Sequence, residues 1–298
     1  MDFPGRQSGK LLFMTQAAAH QKISVKPQSA SLGAVIDGVD LAQDLSDSTL
    51  EELKSVFGCY SVIFFRNQDL TPQQHIDLAE RWGSVNVNRF FKPLEGYPKI
   101  AQVIKEADQK ENIGGAWHTD HSYDEIPAMG SMLYARKVPR VGGDTLFSSM
   151  YLAYEALSDS MKEMLSGLKA WHSSRHAFGH GSAESEHYED GRLANPDLAT
   201  QDALHPVVIT HPITGRKALY VNTRFTIRFD GWTVEESKPL LDFLYAHGAR
   251  QEFTCRFQWE PGSIALWDNR ATWHYALNDY HGEQRIMHRI TLEGVPLN

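Results

Sequence analysis

His118-Thr119-Asp120, answered far downstream by His274 and then by Arg285, is the part of this chain equipped for chemistry. Alternate residues of a β-strand point to the same face. An H-x-D on a strand therefore offers one imidazole nitrogen and one carboxylate oxygen to a single cation. A second His from a distant strand completes a set of two His and one carboxylate on one side of the ion. That set leaves coordination positions open, which suits non-haem Fe(II) holding a co-substrate and O2 together. Arg285 follows His274 closely enough to bring a guanidinium to the same centre, where it would clamp a carboxylate bidentately.

The flanking residues sharpen this. A two-zinc motif of the form H-x-H-x-D-H would need a His at position 116, and Ala116 is there, so the dinuclear hydrolytic reading fails. If 285–292 is a strand, Arg285, Met287 and Arg289 share one face. One such Arg alone reads best as an exposed strand residue. Two on an inward face are costly without anions to meet them, and the pair follows a His in a turn rich in Trp and Asn.

These residues need strands to hold them. Residues 33–39 read as a short strand bounded by glycines. Ser48-x-x-Glu51 reads as a capping box opening a helix that Gly58 ends. Residues 61–65 read as a buried strand. Thr71 with Pro72 opens a second helix, stopped by Gly83. Residues 89–115 are mixed in charge and read as a mobile loop beside the site. Strands are expected within 117–141, and Gly142-Gly143 forces a turn before 144–147. Helices follow at 150–157 and from the box Ser160-x-x-Glu163. The weakly patterned 173–204 reads as an insertion over the site. Thr233-x-x-Glu236 caps another helix, in which Pro239 must cause a kink or a shifted start. Strands return at 253–259, 264–267 and 286–292.

Strands split around a helical middle, with ligands at both ends, fit a mainly β (α+β) chain. The expected fold is a double-stranded β-helix, or jelly-roll, barrel with flanking helices and a helical and loop insertion at about 148–250. One domain spans 21–298, preceded by a loosely held arm, 1–20. A parallel α/β sheet is disfavoured, because no Gly-rich phosphate loop follows a strand.

Bulk properties narrow the partners. The 298 residues are 42% hydrophobic with seven Trp, enough for a sizeable core. A formal net charge of −8 argues against a nucleic-acid binder. No apolar run approaches a membrane span. Two cysteines, Cys59 and Cys255, are too few for a disulfide framework, so a cytoplasmic location is expected. The partner is then a small-molecule substrate, and self-association as a homo-oligomer stays open.

Four motifs in order, Trp117-His118-Thr119-Asp120, Gly142-Gly143-Asp144-Thr145, Trp267-Asp268-Asn269-Arg270-x-x-x-His274 and Arg285-x-x-x-Arg289, make the chain resemble the taurine dioxygenase branch of the Fe(II)/2-oxoglutarate-dependent dioxygenases. The resemblance runs from about Val25 to the C-terminus. It implies hydroxylation of a small organic substrate by Fe(II), 2-oxoglutarate and O2, with release of succinate and CO2. When the oxidised carbon bears a heteroatom, the product collapses with bond cleavage. His118, Asp120 and His274 would bind iron and carry catalysis. Thr145 and Arg285 would hold the distal carboxylate of 2-oxoglutarate. Arg289 would lie near its C1 carboxylate and the head group of an anionic substrate, and Phe225 would contact that substrate.

The chain departs from the taurine pattern around the substrate. Asn88 and Phe91 stand where the taurine enzymes have a His and a Tyr, Gly114 where they have an Asn. His121 stands where a small apolar residue is usual. These positions are read as substrate contacts that favour a bulkier or more apolar anion (a sulfonate, a sulfate ester or a carboxylate) over taurine. The alternative is a metal-binding jelly roll with a hydrolytic or non-catalytic role, which needs no oxoglutarate anchor such as Arg285.

Overall fold

The run Val62–Phe65 shows how the fold is layered. All four side chains are buried, yet alternation splits them: Ile63 and Phe65 enter one core, Val62 and Phe64 another. A strand covered on both faces reads as a continuous apolar run. The computed structural model describes residues 22–182 and 185–298, so the expected arm, 1–20, lies outside the described residues.

Val62–Phe65 belongs to a large sheet. Its strands run, edge to edge, Ser24–Pro27, Ala34–Asp37, Val62–Phe65, Ile264–Asp268, Gly130–Lys137, Arg285–Leu292, Tyr97–Lys105 and Pro93–Leu94, with Val85–Asn86 also pairing with Arg285–Leu292. Neighbours are antiparallel except Ala34–Asp37 beside Val62–Phe65. A smaller sheet carries Thr254–Phe257, Thr145–Ser149 and Thr272–Ala276 in that order. The two sheets share a core in which Val62, Phe64, Leu133, Ala265, Trp267 and Met287 meet Phe147, Cys255 and Phe257.

Helices cover the other faces. Asp47–Tyr60 and Pro72–Trp82 pack Leu53, Val56, Phe57, Ile76 and Ala79 onto the outer face of the large sheet, against Ile63, Phe65, Leu266 and Ile290. Helices Met150–Glu155, Asp159–Ser166 and Val234–Gly248 build a separate core beside the site. The chain is mostly sheet with a few flanking helices.

Several local expectations change. The first helix is capped by Ser46, not Ser48, and runs through Gly58 to a left-handed Ser61 at φ 63°. Ser158, not Ser160, caps Asp159–Ser166. In both cases two candidate serines lie two residues apart, and tertiary packing chooses the start. The helix from Thr233 keeps its predicted capping box and runs through Pro239 to Gly248. The expected loop 89–115 contains the nine-residue strand Tyr97–Lys105, stabilised by pairing with Arg285–Leu292, a long-range partner that local patterning does not reveal. His118-Thr119-Asp120 is not on a named strand. His118 makes one isolated antiparallel bridge to His274, and the chain turns at His121, φ 58°.

Candidate functional site

That single bridge brings the two histidines together. His118 N donates to the His274 carbonyl at 3.1 Å, and His274 N to the His118 carbonyl at 2.8 Å. The imidazole centres are 4.0 Å apart. The nearest carboxylate oxygen, Asp120 Oδ1, lies 3.8 Å from His118 Nε2 and 3.8 Å from His274 Nε2. One ligand atom from each of the three residues falls within 4.8 Å of the others.

The protonation states suit a cation. Burial, then the neighbouring His274, pushes the His118 pKa well down. Burial, opposed by Asp120, lowers that of His274 to about 4. Both rings are therefore neutral near pH 7. His118 Nδ1–H donates to the Ala116 carbonyl at 2.7 Å, leaving its Nε2 lone pair for a metal. Burial alone would raise the Asp120 pKa, but the Arg289 guanidinium beside it outweighs this and holds the carboxyl well below its usual range. The result is an anionic oxygen between two neutral nitrogens, which fits Fe(II).

Asp120 is fixed from behind. Ser131 Oγ donates to its Oδ2 at 2.7 Å, and Asn269 Nδ2 donates to Ser131 Oγ at 3.1 Å. Asn269 Oδ1 accepts from Trp267 Nε1 at 2.9 Å and from Asp120 N at 3.3 Å. Thr119 Oγ1 donates to the Asn269 carbonyl. Asn269 appears in the Trp267–His274 motif but had no role in the sequence reading. Ser131 carried no signal there at all.

On the strand Arg285–Leu292, Arg285, Met287 and Arg289 do share the buried face. Arg285 Nε and Nη2 are buried and have no hydrogen-bond partner, a costly state that an anionic co-substrate would relieve. Thr145 Oγ1 accepts from Trp259 Nε1 at 2.9 Å, leaving its O–H free to donate. Arg289 reaches Asp120 Oδ1 at 3.3 Å and stacks over the Phe91 ring at 4.3 Å. Arg270, also in the motif, is bound to Asp268 at 2.9 and 2.7 Å, and Asp268 in turn to His211 at 3.0 Å.

One pocket is lined by all eleven residues singled out from the sequence: Asn88, Phe91, Gly114, His118, Asp120, His121, Thr145, Phe225, His274, Arg285 and Arg289. Tyr123, Phe178 and Arg224 line it too and were not anticipated, because none sits in a spaced motif. Phe225 packs on Tyr123 at 4.9 Å and on Phe178 at 5.9 Å between ring centres. Gly114, at φ +93°, lets the chain pass over the metal site; a Cβ there would stand 3.5 Å from His118 Cε1.

His121 is in the pocket wall, but both its nitrogens are engaged. Nδ1–H donates to Asp124 Oδ2 at 2.9 Å, and Nε2 accepts from Asn88 Nδ2 at 3.2 Å. Asn88 Oδ1 accepts from the backbone of Phe90 and Phe91 at 2.9 and 3.0 Å, which fixes the amide orientation. Asp124 is held by Arg89 at 2.5 Å.

Comparison with known proteins identifies the family. The taurine catabolism dioxygenase TauD/TfdA family matches residues 24–291. An alpha-ketoglutarate-dependent sulfate ester dioxygenase of Pseudomonas putida is 33% identical over 92% of this chain and 90% of its own length. An alkylsulfatase of Acinetobacter baylyi is 32% identical over 92% of this chain and 86% of its own. The crystal structure of a taurine dioxygenase from Burkholderia xenovorans superposes with a TM-score of 0.76 at 34% identity, covering 92% of this chain and 90% of that one. The chain belongs to the TauD/TfdA family and is a dioxygenase that uses Fe(II), 2-oxoglutarate and O2.

Proposed function

We propose that His118, Asp120 and His274 hold the Fe(II), that Arg285 and Thr145 hold the distal carboxylate of 2-oxoglutarate, and that the substrate is an organic anion with an alkyl or aryl body. When bound, iron and 2-oxoglutarate together activate O2, coupling release of succinate and CO2 to oxidation of a substrate C–H bond. The protein's own residues supply the rest. Ser131 and Asn269 keep Asp120 in place, and Arg289 stabilises its ionised form. The Ala116 carbonyl fixes the His118 tautomer. Oxidation at a carbon bearing oxygen gives a product that falls apart with cleavage of that C–O bond, the outcome expected for a sulfate ester.

The observation that carries the substrate reading is the aromatic wall of Phe91, Tyr123, Phe178 and Phe225 beside Arg224 and Arg289. Apolar surface there favours a tail, and the cations favour an anionic head. Asn88 and His121 spend their hydrogen bonds largely on each other and on Asp124 and the backbone, so this wall is poorly equipped to recognise the ammonium of taurine. The similarity to a sulfate ester dioxygenase and to an alkylsulfatase supports the same class.

The supporting architecture is a jelly-roll barrel formed by the two facing sheets, one domain over 21–298 with 148–250 inserted across the site, working in the cytoplasm on a small molecule. Among the described residues, no helix is long and apolar enough to cross a membrane. A side-by-side assay of succinate formation with an alkyl sulfate, an aryloxyalkanoate and taurine tests the substrate class. Efficient turnover of taurine and none of the others overturns it.

A further inference from the structure

Lys105 is a third buried cation on the pocket side of two neighbouring strands, and the site as described leaves it without a task. In the antiparallel pair Tyr97–Lys105 and Arg285–Leu292, Lys105 lies opposite Arg285, Val103 opposite Met287 and Ala101 opposite Arg289. Val103, Arg285 and Arg289 line the pocket, so alternation puts Lys105 on the pocket side of its strand. Lys105 is 2% exposed, and its Nζ has no hydrogen-bond partner. The ammonium lies 4.5 Å from the centre of the Tyr280 ring. Tyr280 and Arg285 both pack on Gly143, where a Cβ would meet Tyr280 Cδ1 at 3.2 Å and Arg285 Cδ at 3.4 Å. Lys105, Tyr280 and Arg285 therefore form one contiguous group.

The acids nearby do not neutralise it. Arg285 feels Asp144, but Asp144 is ion-paired with Arg256 at 2.6 Å. Burial, then Arg192, disfavours the charged form of Lys105, and Glu111 offsets this only in part. Among the described residues no carboxylate hydrogen-bonds Lys105 Nζ or Arg285 Nε and Nη2, and two buried cations side by side without such a partner are strongly unfavourable. The Tyr280 face offsets part of that cost, and a shared anion would remove most of the remainder.

Building on the reading of Arg285 as the 2-oxoglutarate anchor, we propose that Lys105 is a second cation for the distal carboxylate of 2-oxoglutarate. It acts from the neighbouring strand and sharpens selection of a 2-oxo diacid over a 2-oxo monoacid. This makes Lys105 a co-substrate specificity residue that the family-like motifs do not contain.

The test is equilibrium titration of the Mn(II)-loaded protein without O2, using 2-oxoglutarate and 2-oxopentanoate, which has the same chain without the distal carboxylate. Lys105→Met keeps the apolar stem and should weaken 2-oxoglutarate binding about tenfold, the size of one lost charge-assisted hydrogen bond. Affinity for 2-oxopentanoate should stay unchanged, and Lys105→Arg should recover most of the loss. Equal losses for both ligands would mean a structural role and overturn the proposal, as would no loss for either. Lys105→Gln carries the same comparison should the Met variant fail to fold. Arg285→Met is run alongside: if that variant binds 2-oxoglutarate normally, the anchor reading itself fails, whatever Lys105 does.

Discussion

Asp120 is the residue on which the site turns, since a buried carboxylate must be both ionised and held. Arg289 supplies the charge at 3.3 Å and Ser131 the fixed hydrogen bond at 2.7 Å. Ser131→Ala leaves Oδ2 buried without its donor, at a cost of about 1–3 kcal/mol in stability. Metal affinity should fall roughly 10–100-fold, as is typical when a partner that orients a ligand is lost. Urea unfolding and Mn(II) titration read the two effects separately, and unchanged metal affinity would show that Ser131 does not orient the ligand. His118→Ala or Asp120→Ala should abolish stoichiometric metal binding while the fold persists, as measured by metal content after dialysis. Retained stoichiometry in either variant would move the ligand set elsewhere. Arg285→Ala should raise the apparent KM for 2-oxoglutarate steeply, since losing one member of a buried charged pair costs about 2–5 kcal/mol. An unchanged KM would shift the anchor to Arg289, because Arg270 is already committed to Asp268.

At the scale of elements, the turn at Gly142-Gly143 leads into the strand that begins at Thr145. The turn itself packs against Arg285, where a Cβ on Gly143 would stand 3.4 Å from Arg285 Cδ. Both glycines have positive φ, +84° and +69°. A Cβ on Gly142 would lie 2.7 Å from Asp279 Oδ1 and 2.9 Å from the Asp279 carbonyl, while Gly143 N donates to that same Oδ1 at 2.7 Å. Gly142→Ala should therefore cost about 1–3 kcal/mol through strain, visible as a lower urea midpoint, and should also weaken 2-oxoglutarate binding. Normal stability would mean the turn relaxes freely. The double glycine was legible in the sequence because two successive left-handed residues are cheap only without a Cβ. The strand Tyr97–Lys105 was not legible. Pro98, Lys99, Gln102 and Lys105 obscure its alternation, and its stability comes from Arg285–Leu292, some 180 residues away in sequence.

At the scale of the whole molecule, acid should weaken the fold from beneath the large sheet. His75 is buried with neither ring nitrogen bonded. Burial, with His288 and Arg136 nearby, lowers its pKa from 6.5 to about 3. His288 is lowered to about 4 by burial and Arg136. A base whose folded pKa lies below its unfolded value binds more protons when unfolded. Its contribution to stability is complete above about pH 6.5 and is lost as pH falls toward 3 to 4. His75→Leu should reduce the slope of unfolding free energy against pH in that window by up to about 1.4 kcal/mol per pH unit. Urea titrations at several pH values measure it, and an identical slope would place the acid sensitivity in other groups.

The sequence by itself determined the reaction class and the inward face of Arg285 and Arg289. Ligand chemistry demands particular residue types, and strand alternation follows from the backbone alone. Thr145, Asn88, Phe91, Gly114, His121 and Phe225 were legible only through the family resemblance, and they too line the pocket. Tertiary structure decided what surrounds them. The single bridge between His118 and His274, the Ser131–Asn269 support behind Asp120, the engagement of both His121 nitrogens and the pairing of Lys105 with Arg285 all join segments far apart in the chain. No local pattern encodes such pairs, because their energy appears only when both partners are brought together and removed from water.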